Sequence, residues 1–167
     1  MIKCNTISEA LQAANKKLEK IIDYVLDESV SSEIRNVEIE TIGKIVYGAY
    51  EPVMYERRGG TGGLLDRSNI KHSVKDGVLT VVNKTPANYD HDSTTGEVFN
   101  YRYKNLPYLI EYGNGAGRKY FYDYYKQGAA YLKPRPFTAK TIENLKISKS
   151  HIKAMKGTLK RMNFKVE

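Results

Sequence analysis

Apolar residues return every three or four positions near the start of the chain: Ile7, Leu11, Ala14, Leu18, Ile21, Ile22 and Val25. That spacing lays one apolar stripe along a helix and predicts a first helix over residues 7–27. Thr6-Ile7-Ser8-Glu9 supplies its start, because the Thr6 hydroxyl can accept a backbone N–H of the first turn while Glu9 reaches back. Ser29, Ser31 and Ser32 offer a break and a new cap. A second helix is expected to turn Ile34, Val37, Ile42, Ile45, Val46 and Ala49 inward, so the helical region runs over 7–49. Pro52 then ends it by biasing Glu51 away from helical geometry.

The period changes beyond this point. Residues 57–63, Arg-Arg-Gly-Gly-Thr-Gly-Gly, read as a flexible loop with no side chains to build a core. Asn69–Lys75 and Val78–Asn83 are β-patterned runs on either side of Asp76-Gly77, a pair that tolerates positive φ at both turn positions. They predict a β-hairpin over 69–83. Residues 84–97 are a polar excursion, expected to be a mobile loop. The stretch 98–132 is rich in tyrosine, and within it Leu106–Gly113 reads as a compact buried element stopped by glycine. Pro134-Arg135-Pro136-Phe137 leads into a helical segment, 137–162, whose apolar positions are Phe137, Ile142, Leu145, Ile152, Met155, Leu159 and Met162. Ser148 and Ser150 divide it, and Phe164-Lys165-Val166 ends as a short strand or tail. The pattern defines an α+β fold in one domain, 1–167: N-terminal helices on a small antiparallel sheet containing the hairpin, then C-terminal helices.

A chain of 167 residues is long enough for a real core. No apolar run approaches the roughly 20 residues of a membrane span, and the N-terminus has no signal-peptide pattern, so the expectation is a cytoplasmic product without membrane contact. Cys4 is the single cysteine, which excludes an internal disulfide and a cysteine metal cluster. The net charge of +8 is uneven. Residues 1–56 carry 6 basic and 10 acidic residues, 57–132 carry 11 and 7, and 133–167 carry 10 and 2. An acidic front and a basic tail suit contacts between unlike surfaces of neighbouring subunits, or a surface facing nucleic acid.

Few residues are arranged for chemistry. The glycine loop lacks the Gly-Lys-Ser/Thr end of a phosphate loop. His91 lies between Asp90 and Asp92, but His72 and His151 are on other elements, so no ligand spacing for a metal emerges. No Gly-x-Ser-x-Gly elbow occurs and Cys4 has no evident base. Glu111 is the one carboxylate in a strongly apolar stretch, expected to pair with Arg102, Arg118, Arg135 or a lysine rather than to act as a general acid. The reading is a non-enzymatic protein without metal or cofactor. A small basic nucleic-acid-binding protein is the rival, since lysines and tyrosines could track phosphates and stack bases. The tyrosines concentrate at 101–131 and the positive charge at 133–165, however, and tyrosine equally suits a subunit interface.

Three stretches taken together carry a resemblance. They are Val46–Arg58 followed by Gly62-Gly63-Leu64-Leu65-Asp66 and Asn69-Ile70; then Tyr108–Gly115; then Pro134–Phe137 ahead of Thr141-Ile142-Glu143 and a basic helix. In order and character they resemble the tail-component, or neck, family of long-tailed siphophages and related prophages, distantly like lambda minor tail protein Z. Asn114 stands where the family pattern often has threonine, and 116–132 is longer and richer in tyrosine. The resemblance implies a virion protein of the head–tail junction or upper tail, made in the bacterial host cytoplasm. It implies a homo-oligomeric ring, hexameric in preference to dodecameric, that joins the DNA-filled head to the tail. Its partners would be neighbouring head-closure and tail proteins, with non-specific contact to DNA in the channel. The assembly or channel-loop residues would be Tyr55, Arg57, Arg58, Gly59, Gly60, Gly62, Gly63, Glu111, Tyr112, Arg135 and Phe137. Arg57 and Arg58 would meet an acidic neighbour or the DNA backbone.

Overall fold

The computed structural model describes residues 6–49, 61–86, 106–113 and 133–166. They divide between two compact units, one built from 1–34, 72–81 and 148–167, the other from 35–71 and 82–147.

The first helix, α1 (Ile7–Val25), begins as its capping pattern predicts, with the Thr6 side chain accepting the Glu9 backbone N–H at 3.2 Å. It does not break at the serines. The chain passes through one wide turn, Leu26–Val30, where the Ser31 N–H reaches back to the Leu26 carbonyl, and continues as α2 (Ser31–Ile42). Ser31 is fully buried and its hydroxyl donates to the Asp27 carbonyl, so the side chain is satisfied inside the helix instead of capping a new one. A second wide turn, Gly43–Tyr47, closes with the Gly48 N–H on the Gly43 carbonyl at 2.9 Å. The helical run therefore ends ahead of Pro52, which lies outside the described residues.

The hairpin forms where Asp76-Gly77 predicts it. β1 (Ile70–Lys75) and β2 (Val78–Asn83) make a two-stranded antiparallel sheet. Asp76 and Gly77 have φ of 51° and 73°, the pair of positive angles that a tight hairpin turn with right-handed strand twist demands. His72, Val74, Leu79 and Val81 are half-buried and their neighbours along each strand are exposed, the alternation of a sheet covered on one face.

The C-terminal segment is two helices, α4 (Phe137–Ser148) and α5 (Ser150–Arg161), while the shorter α3 (Leu106–Tyr112) precedes them and stops at Gly113. The division between α4 and α5 falls at Lys149, with φ of 52°, and the Ser148 hydroxyl accepts the Ser150 N–H at 3.3 Å. Residues 164–166 form no strand.

In the first unit, α5 packs on α1 and on the Leu26–Val30 turn. Val25, Val30, Ser31 and Thr158 are its buried residues. Thr158 meets the Ser29 hydroxyl at 2.6 Å and accepts from Arg161 at 2.9 Å, while His72 Nε2 lies 3.0 Å from Asp27 Oδ1. In the second unit, Ile42, Val46, Leu64 and Phe137 form the core, and Ile45, Tyr47, Leu65, Leu106 and Ile110 pack against it. Asn144 donates to Thr41 Oγ1 at 3.0 Å, tying α4 to α2.

Several positions of the apolar pattern are outside, Ala49 among them, which is expected inside. Ala49, Ile142, Ile152 and Met162 are exposed, and polar Thr41, Thr141 and Thr158 are buried. The reason is helix phase. On α4 the inward row runs from Phe137 to Thr141, one turn on, which turns Ile142 outward. The Leu106–Gly113 element is likewise half outward, since Tyr108 and Tyr112 are exposed while Pro107 is buried.

Candidate assembly site

The buried row through α2 and the wide turn after it holds Glu38, Ile42 and Val46, each four residues on. Glu38 is thus a carboxylate on an apolar row, 8% exposed. Burial raises its pKa above the ordinary glutamate value, against which the hydrogen bond from Asn83 works; the nearby negative charge of Glu111 raises it further.

Asn83 reaches Glu38 because strand alternation puts the last residue of β2 on the covered face. Its amide nitrogen donates to Glu38 Oε1 and to the Leu64 carbonyl, both at 3.2 Å. Its amide oxygen accepts from the Thr85 N–H at 3.1 Å and lies 2.6 Å from the Thr85 hydroxyl, which is also 3.3 Å from the Gly63 carbonyl. Both hydrogens of the Asn83 amide are donated and its oxygen meets Thr85 twice, so this side chain ties the loops together. It joins α2, the glycine turn, the end of β2 and, through the Leu106 N–H on the Thr85 carbonyl at 3.3 Å, the start of α3.

The glycine turn is held from its other side by Asp66. The Gly62 N–H donates to Asp66 Oδ2 at 2.6 Å, with Gly62 at a φ of 69°, and the Asp66 N–H donates to the Gly63 carbonyl at 3.1 Å. Hydrogen bonds from Ser68 and from the Gly62 backbone hold the Asp66 carboxyl below the ordinary aspartate range. Gly63 is buried, and Asn69 also donates to its carbonyl. Residues 61–63 form a hydrogen-bonded turn, and 57–60, the rest of the glycine loop, lie outside the described residues.

Glu111, Arg135 and Phe137 come together at the start of α4. The Glu111 carboxylate accepts the N–H groups of Thr138 at 2.9 Å and Ala139 at 3.4 Å, and the Arg135 N–H donates to the Ile110 carbonyl at 2.9 Å. Glu111 thus caps a neighbouring helix, where its charge also meets the positive end of the helix dipole. Of the arginines expected to pair with it, Arg102 and Arg118 lie outside the described residues. Phe137 is 1% exposed and belongs to the core of its unit. Tyr112 faces outward, its ring 4.7 Å from that of Tyr108. Tyr55, Arg57, Arg58, Gly59 and Gly60 lie outside the described residues, as do most of the 84–97 loop and the tyrosine-rich stretch.

Glu38, Asn83 and Thr85 do not stand out in the sequence. A signal for Glu38 is present, a charge in step with Ile34, Ile42 and Val46. Thr85 carries none, because only tertiary structure brings it to Gly63.

Among the described residues no helix is long and apolar enough to cross a membrane, and no group of three or more His, Cys, Asp and Glu residues is placed to hold a metal ion. The described residues have an α+β architecture, helices with one hairpin, and a polar cluster that ties loops together. The sequence profile of the YomN family matches residues 10–161, and the chain belongs to that family, whose name comes from a Bacillus prophage. It is a phage-associated protein. No curated protein and no solved structure matches the chain.

Proposed function

We propose that the chain is a structural, non-enzymatic virion protein of a tailed phage that works at the head–tail junction. It assembles there as a ring, a hexamer in preference to a dodecamer, joining the DNA-filled head to the tail. The observation that carries this reading is the outward pair Tyr108 and Tyr112 on α3, 43% and 53% exposed, on a helix whose other side rests on the core. Tyrosine rings held on a rigid element are what subunit interfaces use, since they bury area with little loss of side-chain freedom. Membership of a family with a phage-derived name and the charge difference between the two ends of the chain support the same reading. The segment Tyr55–Gly60 precedes the hydrogen-bonded Gly62-Gly63 turn in the sequence, and its Arg57 and Arg58 would meet a neighbouring ring or DNA in the channel. Deleting the gene and imaging lysates by electron microscopy tests the proposal. Filled heads beside separate tails are the expected result, and joined particles of normal form would overturn it. Replacing Arg57 and Arg58 with Glu should also block joining.

A second reading is a nucleic-acid-binding protein, favoured by one feature. Lys149, Lys153, Lys156 and Lys160 are exposed and step along α5 by four, three and four residues, and residues 144–166 contain seven lysines and arginines and no acidic residue. Such a stripe can follow a phosphate backbone. Tight DNA binding with a steep salt slope would favour this reading, whereas a junction protein binds free DNA weakly.

A further inference from the structure

The apolar stripe of α1 changes character along its length. Val25 is fully buried and Ile21 half-buried, yet Leu18 is 48% exposed, Leu11 60% and Ile7 82%. α5 covers the end of the helix next to the wide turn, and no described residue buries the rest.

The spacing says what kind of surface fits there. Ile7, Ala14 and Ile21 form one row and Leu11, Leu18 and Val25 a second, each repeating every seven residues, the heptad spacing of two apolar positions per seven. A stripe of that period winds slowly around a straight helix, by about 20° per seven residues, and stays in contact only with a partner that winds with it. Another α-helix in a left-handed pair does so.

The charges say which helix. Between residues 7 and 25, Lys16, Lys17 and Lys20 balance Glu9, Glu19 and Asp23. A strongly acidic or basic partner has nothing to select it. The positions bordering the stripe are Ser8, Ala10, Asn15, Lys17, Ile22 and Tyr24, with a single charge among them, so a second copy of this helix meets no row of like charges. Ile22 and Tyr24 are 41% and 53% exposed and extend the apolar border where the flank of a second helix would lie.

We propose that α1 is a self-association element, in which the Ile7, Leu11, Ala14, Leu18 and Ile21 stripe packs against the same stripe of a second copy as a two-stranded coiled coil. The stripe is only about two and a half heptads long, so the pair forms reversibly and separates on dilution. The inference does not rest on the head–tail reading and holds wherever the protein works.

Sedimentation velocity of the full chain over a concentration series tests it. The mass should move from one chain to two as concentration rises. The Leu11→Gln/Leu18→Gln double variant should remain monomeric with unchanged far-ultraviolet circular dichroism, because both positions are exposed within one chain. Ala14→Leu is the sharper arm: Ala14 is exposed, and a larger apolar group there should tighten association by about tenfold or more. Lys16→Gln, on the opposite side of the helix, should change nothing. A wild-type chain that is monomeric at every concentration overturns the proposal, including the case in which a different protein covers the stripe. Association that survives the double variant, or that Ala14→Leu leaves unmoved, overturns it equally.

Discussion

Asn83 donates to Glu38 Oε1 at 3.2 Å with both side chains buried, and the same amide group closes the glycine turn through the Leu64 carbonyl. One side chain thus links a helix, a strand end and a loop that lie far apart in sequence. Asn83→Ala removes two donated and two accepted contacts at once and leaves Glu38 and the Leu64 carbonyl without their partner. It should cost about 2–4 kcal/mol in urea unfolding. A loss below about 0.5 kcal/mol, the ordinary range of a surface change, would show that the cluster does not hold the loops together.

Glu38 itself gives a pH prediction. Its folded-state pKa is raised, so the folded chain holds a proton there that the unfolded chain gives up near the ordinary glutamate value of 4.5. Stability from this group is therefore fully present below that value and is lost as pH rises through the folded pKa. Glu38→Gln keeps the acceptor oxygen for Asn83 and cannot ionise. The variant should be more stable than wild type at neutral pH, and the difference should shrink as the solution is acidified. A difference that grows on acidification would reverse the assignment. Asp66 contributes the opposite sign, because its lowered pKa adds stability that is lost as pH falls through it, so the comparison must be made variant against wild type.

Phe137→Ala should cost about 3–5 kcal/mol, the range for emptying an aromatic position in a packed core. Ile142→Ala, five residues along the same helix but 49% exposed, should cost well under about 1 kcal/mol. Thermal or urea unfolding of the two variants side by side measures which face of α4 is inward. Equal losses would contradict an inward row running from Phe137 to Thr141.

Lys149 occupies the left-handed region between α4 and α5, with φ of 52°, where a side chain costs about 1 kcal/mol relative to glycine. Lys149→Gly should raise stability by about 0.5–1 kcal/mol, read as an upward shift in the urea midpoint. A fall would mean that the lysine side chain contributes more than its backbone strain takes away.

The elements legible in the sequence are those whose physics is local. Thr6 with Glu9, Asp76 with Gly77, and the stop at Gly113 depend on neighbours in the chain, and each appears at its expected place. The helix break expected at Ser29–Ser32 does not form, because a serine can cap a new helix or bond back into the existing one, and burial decides between them. The inward faces of α4 and α5 depart from the apolar pattern for a related reason. Apolar periodicity marks a stripe, but Thr141 and Thr158 take inward positions that composition assigns to isoleucine. At the candidate site, Gly62, Gly63 and Glu111 stand out in the sequence as residues, while their roles come from Asp66, Thr85 and the start of α4, none of which is adjacent in sequence. Phe137 is legible as apolar but not as core, since an aromatic residue after two prolines suits an interface equally well.

The wide turn at Leu26–Val30 has an evolutionary meaning. Such a turn takes in one residue more than an ordinary helical turn, and one residue corresponds to about 100° of rotation. It has the form of a single-residue insertion absorbed without breaking the rod. A relative lacking one residue between Val25 and Ser31 will keep an unbroken helix at this point. Because the wide turn takes up that rotation within one revolution, Leu18 before the gap will keep nearly the same facing relative to Ile34 after it. Length variation by one residue at this point therefore leaves both the helix and the facing of the exposed stripe nearly unchanged.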